Sequence, residues 1–503
     1  MKVFSTEQIR AWDAYTIENE PVTSLGLMDR AARVFTRWFT ACYPDAEQPV
    51  WVFAGTGNNG GDGLAVAGLL HRQFYPVKVF ICAYGGKHSA DFDAQLAGLP
   101  PHDAVSVHWL KAGAALPPAP PSGAILIDGM FGTGLTRPLE EPWASLIDWM
   151  NGLPNDRVAI DLPSGLLAGA NTPGPCIRAT RTFSFETPKR AFFFSENAER
   201  VGEWTAGSIG LHPDYALRTY TPFHYITADV VQTLVRPRKR FSHKGVFGHA
   251  LLINGSMGKV GASVLSAIAC LRAGVGLLTV HTPRCGYPVL QAQAPEAMCS
   301  VDKSEEIWTE LPDLARYSAI GAGCGIGQDR HTAQALKCLI QQARAPLVLD
   351  ADALNILALH PKWFGFLPKG AILTPHPKEF ERLFGKTADS FARNALQCAK
   401  AQEYGVYIVL KGACTAVACP DGACWFNSTG NPGMATGGSG DVLTGLLTGL
   451  LAQGYPTVEA AVLGVWLHGL AGDLAAVELS QPGMTAGDII RYLGKAWLAL
   501  VGR

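Results

Sequence analysis

The stretch Val50-Trp51-Val52-Phe53-Ala54-Gly55-Thr56-Gly57-Asn58-Asn59-Gly60-Gly61-Asp62-Gly63-Leu64 decides the fold class. Val50 to Ala54 is an apolar run of strand length, bounded by glycine, as expected of a fully buried strand. The glycine loop from Gly55 to Gly63 leads into a helix expected over Leu64 to His71. Glycine permits positive φ and close backbone approach. A helix start beyond such a loop presents unpaired N–H groups to an anion, so the loop is expected to bind phosphate. Working outward, Val77 to Ala83, Ala124 to Asp128 and Val158 to Asp161 read as three further strands, the last two ending in an acid. Leu99 to Pro121, rich in Pro and Ala, reads as a surface loop. The first ~40 residues read as helical, with Ser5 and Gln8 at capping-box spacing. Strands alternating with helices predict βαβ units and a parallel sheet.

The chain has 503 residues and a net charge of −1, with 48% hydrophobic and 17% charged residues, 55 Gly and 33 Pro. That length predicts at least two domains. Near-zero net charge excludes nucleic-acid binding by bulk electrostatics, and the hydrophobic content excludes extended disorder. The twelve cysteines are spread through a long chain, which points to a reducing compartment. Cys419 and Cys424 are expected to flank a hairpin around Pro420-Asp421-Gly422, as small buried hydrophobes. Met1 to Arg10 lacks the apolar segment of a signal peptide. The longest apolar stretch, Val442 to Leu451, is too short for a membrane span. A cytoplasmic location is expected, with no membrane and no nucleic-acid partner.

A break falls over Leu211 to Phe223, followed by the basic run Arg236, Arg238, Lys239 and Arg240. That run is read as either a solvated surface or a polyphosphate clamp. A second strand series follows at Ala250 to Ile253, Ala319 to Ile320, Leu347 to Asp350, Ala371 to Thr374 and Val406 to Leu410. The expectation is therefore an α/β protein of two domains, residues 1–223 and 224–503, the first Rossmann-like with a parallel sheet.

Gly55, Gly57 and Gly60 match the dinucleotide fingerprint, but the next strand ends Ala83-Tyr84-Gly85 without the acid that would hold a ribose. A standard hydride-transfer site is thereby disfavoured. Two further strand ends, Asp128-Gly129-Met130-Phe131-Gly132-Thr133-Gly134 and Asp161-Leu162-Pro163-Ser164-Gly165, point to the same sheet edge. Asn59, Asp128 and Ser164 offer hard oxygen atoms suited to a monovalent or divalent cation. Asp161 is a candidate acid/base. In the second half, Gly437-Gly438-Ser439-Gly440-Asp441 precedes an apolar helix, an anion hole with a carboxylate at its mouth. There Asp441 could take a proton from a hydroxyl while the amides steady a transferring phosphoryl group. Lys411-Gly412-Ala413-Cys414-Thr415 follows a strand and could line nucleotide phosphates. Gly258-Lys259 is not a Walker A tail, because Ile253 and Val260 stand where that motif needs Gly and Ser or Thr. His376, on a strand-end loop, is read evenly as structural or ligand-binding.

The segments AGTGNNGGDGLAVAGLL, DGMFGTGL and DLPSGL together resemble the YjeF N-terminal family, which is similar to NAD(P)H-hydrate epimerases. That resemblance implies substrate contacts at Asn58, Asn59, Gly60, Gly61 and Asp62, and at Gly132, Thr133, Gly134, Leu135, Thr136, Arg137 and Pro138. It implies potassium held by Asn59, Asp128 and Ser164, and Asp161 against substrate, with Lys189 completing the acid/base set. The ordered segments GSMGKVGAS, GAGCGIG, LVLDADALN, LTPHPKEFERL, LKGACT and NPGMATGGSGDVLTG resemble the ADP/ATP-dependent NAD(P)H-hydrate dehydratase family, whose fold is ribokinase-like. The implied hydrate contacts are Ala262, Gly323, His376 and Asp441. The implied nucleotide contacts are Lys411, Gly412, Ala413, Cys414, Thr415 and Gly440, with Mg²⁺ and with ADP as phosphoryl donor. Joined in this order, the two resemble a bifunctional family that repairs hydrated NADH and NADPH, and a homo-oligomer is expected. Two rivals are a ribokinase-fold kinase for a vitamin or sugar and a non-catalytic scaffold in RNA metabolism. Asp128 and Asp161 disfavour the scaffold; the KGACT and TPHPKE segments disfavour the kinase.

Overall fold

The computed structural model describes residues 1–101 and 104–502. The chain divides into two compact units, Lys2–Thr221 and Pro222–Arg503 with Met1.

The first unit is built on seven parallel strands: β1 (Val50–Ala54), β2 (Val77–Ala83), β3 (Ser106–Lys111), β4 (Ile125–Gly129), β5 (Arg157–Ile160), β6 (Arg181–Phe185) and β7 (Glu203–Gly207). Their order is β3-β2-β1-β4-β5-β6-β7. Every residue of β1 is buried because both faces are covered. Val50, Val52 and Ala54 pack with Phe35, Phe39 and Leu64, while Trp51 and Phe53 pack with Leu146, Ile147 and Met150. Such two-sided burial is why a parallel strand reads as a continuous apolar run. Helices α1 (Thr6–Asn19), α2 (Ser24–Cys42) and α3 (Asn58–Arg72) accompany the sheet, and Ser5 and Gln8 form the expected capping box.

The expectation of a nine-residue glycine loop is corrected: α3 begins at Asn58, so Asn58 to Gly63 lie in its first turns. Glycine is a poor helix former, but a Cβ on Gly60 would stand 1.8 Å from the Gly55 carbonyl oxygen. Close packing of the helix start on the strand end overrides propensity there. The surface loop expected over Leu99 to Pro121 contains β3, an edge strand whose Trp109 is exposed. A half-solvated edge carries too little apolar signal to be seen in sequence. His102 and Asp103, inside that expected loop, and Arg503, at the end of the second expected domain, lie outside the described residues.

The second unit has a ten-stranded sheet: β8 (Phe223–Tyr225), β9 (His249–Ile253), β10 (Leu277–Thr282), β11 (Met298–Val301), β12 (Ala319–Ala322), β13 (Leu347–Leu349), β14 (Ile372–Leu373), β15 (Tyr407–Leu410), β16 (Ala416–Ala418) and β17 (Cys424–Phe426). The order is β11-β10-β9-β12-β13-β14-β15-β16-β17-β8, antiparallel only where β16 meets its two neighbours. One face packs on the helices Val260–Arg272, Ser439–Ala452, Thr457–Leu479 and Ala486–Val501, the other on Arg330–Gln342 and Asp352–Leu359. The hairpin closes where Cys419 N–H donates to the Ala423 carbonyl at 2.8 Å, with Cys419 and Cys424 buried. All twelve cysteines are free thiols.

The basic run Arg236, Arg238, Lys239 and Arg240 is exposed. Arg236 stacks on Tyr455 and donates to the Gly454 carbonyl, and Arg238 lies over Phe247. Helix Thr457–Leu479, in which Glu459, His468 and Asp473 interrupt the apolar run, is nonetheless long and apolar enough to cross a membrane. It is buried over 67% of its most apolar window and contributes Leu463 and Leu467 to the core.

Gly445 shows which effect governs helix packing here. Alanine would improve helix propensity by about 1 kcal/mol, but its Cβ would stand 2.0 Å from the Ser266 carbonyl oxygen. Backbone cannot yield as a flexible side chain can, and overpacking costs about 1–3 kcal/mol or more. Gly445→Ala is expected to lower the unfolding temperature; an unchanged or raised value would refute this packing.

Candidate active sites

In the first unit the strand order reverses between β1 and β4, and ligands of open parallel sheets bind in the crevice at such a point. A cavity of about 720 Å³ opens there. Asn58, Asn59, Asp62, Gly132, Thr133, Gly134, Leu135, Thr136, Arg137, Asp161 and Lys189 line it. Ile9, Arg10, Asp13 and Ile17 of α1 complete the wall. Gly60 and Gly61 do not line it; they are buried against Gly55 and Met28, and Pro138 packs on Gly174 instead.

Asp161 follows β5 with φ +64°, a backbone conformation rare outside glycine and characteristic of functional sites. Its Oδ1 accepts hydrogen bonds from Lys189 Nζ at 2.7 Å and from the Phe185 N–H at 2.9 Å. Lys189, only 2% exposed, also donates to Ser184 Oγ and to the carbonyls of Phe185 and Thr187. Of the further carboxyls on the cavity wall, Asp13 and Asp62 are shifted by burial. Burial, then the charge of Asp161, pushes Asp13 up to about 7. Burial pushes Asp62 well above the usual carboxylate range.

Asp128 and Ser164 lie outside the cavity lining. Asp128 is fully buried and accepts from Ser164 Oγ at 2.5 Å, the Ser164 N–H at 2.7 Å and the Met130 N–H at 3.2 Å. Burial nevertheless pushes its carboxyl to about 6. Asn59 is brought to the same loop: a Cβ on Gly132 would stand 2.9 Å from Asn59 Oδ1, and Phe131 N–H donates to Ser164 Oγ. Asn59 Nδ2 is buried without a partner. Turned about, that amide would present oxygen to the gap. A buried carboxylate that has no ammonium or guanidinium partner among the described residues, beside an unsatisfied amide, is a donor set that fits a cation.

In the second unit the critical side chains converge from three strand ends and one helix start. Asp350, directly after β13, accepts at Oδ1 from Lys411 Nζ (2.8 Å) and the Ala351 N–H (2.8 Å), and at Oδ2 from Thr444 Oγ1 (2.8 Å). Lys411, after β15, lies 3.9 Å from Glu379 as well. Gly438, at φ +92°, turns the chain into helix Ser439–Ala452, and Asp441 sits in its first turn. A Cβ on Gly440 would stand 3.2 Å from Lys411 Nζ. Burial pushes Asp441 up to about 6; a hydrogen bond with the Cys324 thiol opposes this, Asp350 reinforces it and Lys411 opposes it. His468 Nε2 donates to the Ser439 carbonyl at 3.0 Å, and burial pushes this imidazole down to about 4, keeping it neutral.

A cavity of about 830 Å³ is lined by Asp350, His376, Lys411, Gly412, Ala413, Thr415, Gly440 and Asp441. His376 is the N-cap of helix Pro377–Phe384, its Nδ1 accepting from the Lys378 and Glu379 N–H groups, so it is both structural and site-facing. Cys414, Gly323 and Ala262 do not line this cavity. Gly323 adjoins Cys324, whose thiol reaches Asp441, and a Cβ on it would collide with the Asp350 carbonyl. Ala262 faces Gly325 on a neighbouring loop.

Sequence reasoning gave Asp350 no role, although the strand-end acid rule that found Asp128 and Asp161 applies to it equally. Thr444 and His468 had no such signal; they sit within apolar helices and are recruited by packing.

Two family models match this chain. One, described as NAD(P)H-hydrate dehydratase, covers residues 250–495; the other, described as YjeF-related protein N-terminus, covers residues 24–191. The bifunctional NAD(P)H-hydrate repair enzyme Nnr of Moorella thermoacetica is 36% identical over 465 residues, spanning 89% of this chain and 87% of the relative. Its namesake in Escherichia coli strain K12 is 34% identical over 499 residues, 98% of this chain and 93% of the relative. A solved structure, the ADP/ATP-dependent NAD(P)H-hydrate dehydratase of Bacillus subtilis co-crystallised with ATP/Mg²⁺, is 32% identical. It covers 55% of this chain and 98% of its own, with a TM-score of 0.49. The chain belongs to the family of bifunctional NAD(P)H-hydrate repair enzymes.

The Lys189–Asp161 pair is a buried ion pair, and removing one partner strands the other charge at a cost of about 3–5 kcal/mol. Urea unfolding of Lys189→Met is expected to show a loss of that order, and Lys189→Met/Asp161→Asn is expected to recover most of it. A double variant no more stable than the single one would contradict this account.

Proposed function

We propose that the unit Lys2–Thr221 epimerises the R and S hydrates of NADH and NADPH. The unit beginning at Pro222 dehydrates the S hydrate to NAD(P)H, converting ADP to AMP and phosphate. The observation that carries the reading is the convergence of Asp441, Asp350 and Lys411 on one cavity at the start of a glycine-led helix. The hydrate bears a hydroxyl on C6 of the reduced nicotinamide ring, and hydroxide is a poor leaving group. Asp441 takes the hydroxyl proton while the oxygen attacks the terminal phosphoryl group of ADP. The N–H groups at the helix mouth and Lys411 stabilise the charge on the transferring group. Phosphate then leaves C6 with the electron pair of the C6–O bond, C5 gives up a proton to solvent, and the C5=C6 double bond of the ring is restored. Charge on the phosphates is offset by Mg²⁺ brought in with the nucleotide. Lys411, Gly412, Ala413, Thr415 and Gly440 border the nucleotide, and His376 borders the hydrate.

Elimination of this kind accepts one epimer, so the first unit supplies it. Asp161 and Lys189 act on the hydrate there. Asn59, Asp128 and Ser164 hold K⁺, which supplies fixed positive charge beside the substrate loop. The free thiols and the cofactor pool both suit the cytoplasm.

The near-ultraviolet absorbance of reduced nicotinamide, which its hydrate lacks, reports the reaction. Racemic NADH hydrate with ADP, Mg²⁺ and K⁺ should be recovered completely by the full chain. Recovery should stop at about half with Asp161→Ala and be absent with Asp441→Ala; no rise with ADP or ATP for the full chain would refute the repair reading. Asp441 must be ionised to accept a proton, so dehydration of the S hydrate should rise with pH through about 6 and level off above it. A rate that falls over that range would remove Asp441 as the base.

A further inference from the structure

Two of the carboxyls that line the cavity of the first unit stand under opposite conditions. Asp161 is ion-paired with Lys189 at 2.7 Å and accepts the Phe185 N–H. Among the described residues, no donor reaches the carboxyl of Asp13. It projects from α1 with Ile9 one turn before it and Ile17 one turn after, all three on the cavity wall. Its place is fixed by the neighbouring residues of the same helix. Trp12 Nε1 donates to the His212 carbonyl at 2.8 Å, and the His212 N–H donates to Thr16 Oγ1 at 3.0 Å. Helix docking, rather than any partner of its own, holds this carboxyl at the cavity. The groups that act on it are Asp161, Lys189 and Glu186. Arg10 on α1, Asp62 and Asp91, and Arg137 are the other charged groups on the cavity wall.

Resting on the epimerase reading above, we propose that Asp13 is the proton donor and acceptor of the epimerisation, working with the Asp161–Lys189 pair. The Asp13 carboxyl gives its proton to the C6 hydroxyl of the hydrate. The C6–O bond breaks, its electron pair leaving on water, while the lone pair of ring nitrogen N1 forms the N1=C6 bond of an iminium. The Asp161 carboxylate offsets that positive charge. Water adds to the other face of C6, the N1=C6 pair returns to N1, and the surplus proton returns to Asp13. Nothing is oxidised or reduced, and C6 is inverted.

Two carboxyls with environments pushed apart are the usual division of labour between an acid and an anion in one site. Asp13, held near 7, can both release and regain a proton at neutral pH. Burial also pushes the Asp62 carboxyl well above the usual carboxylate range.

The test uses the full chain and purified R hydrate of NADH with ADP, Mg²⁺ and K⁺, subtracting the uncatalysed rate. Recovery then requires epimerisation first. Asp13→Asn, nearly isosteric, is expected to slow it at least ~100-fold, leave the rate on S hydrate within about twofold, and be partly rescued by Asp13→Glu. Asp13→Asn converting R hydrate within about threefold of the unaltered chain overturns the proposal. Should Asp13→Asn unfold the unit, the pH profile of the unaltered chain decides. Epimerisation must fall as pH rises through about 7, and a flat profile overturns the proposal. Failure of the epimerase reading itself looks different: the unaltered chain would not convert R hydrate faster than buffer.

Discussion

Parallel strand direction is the constraint on which both units depend. All seven strands of the first sheet run one way, and so do the second sheet's strands from β11 to β15. Parallel pairing sends every carboxyl end to the same edge, and crossover helices start there with their N–H groups facing the crevice. Asp128 and Asp161 in one sheet, and Asp350 and Lys411 in the other, are neighbours in space for that reason despite long separations in sequence.

Gathering acids at one edge has an electrostatic consequence. A buried carboxylate must find a cation, find donors, or take up a proton. The two units use all three solutions. Asp161 and Asp350 are ion-paired with lysines that emerge further along the chain. Asp128 relies on Ser164 and backbone donors, and Asp13 and Asp441 are left with carboxyls pushed towards neutrality. The chemistry follows from the third group, because a carboxyl poised near neutral pH can exchange protons with a substrate.

Glycines set how closely helix starts approach these edges. Gly60 lies against the Gly55 carbonyl, and Gly440 lies against the Lys411–Asp350 pair. A side chain at either place would push the helix mouth away from the groups it must work with. The same closeness explains why α3 begins in a run of glycines that local propensity alone would assign to a loop.

Much of this was legible in the sequence because burial on two faces writes a continuous apolar run, and strand-end glycines and acids punctuate it. β1, β2 and β9 were readable in that way, as were the capping box of α1 and the loop that carries Asp441. Edge strand β3 was not, since a solvated edge has no apolar signature. Nor were the pairing of Asp350 with Lys411 and Thr444, the role of His468, or the isolation of Asp13 between Ile9 and Ile17. The sequence by itself determined the buried central strands, such as β1, β2 and β9, and the residue types placed at the sheet edges, because those follow from local periodicity. Only the tertiary structure decided which carboxyls gain a lysine and which are buried without one, because pairing and desolvation depend on neighbours that the chain brings together only on folding.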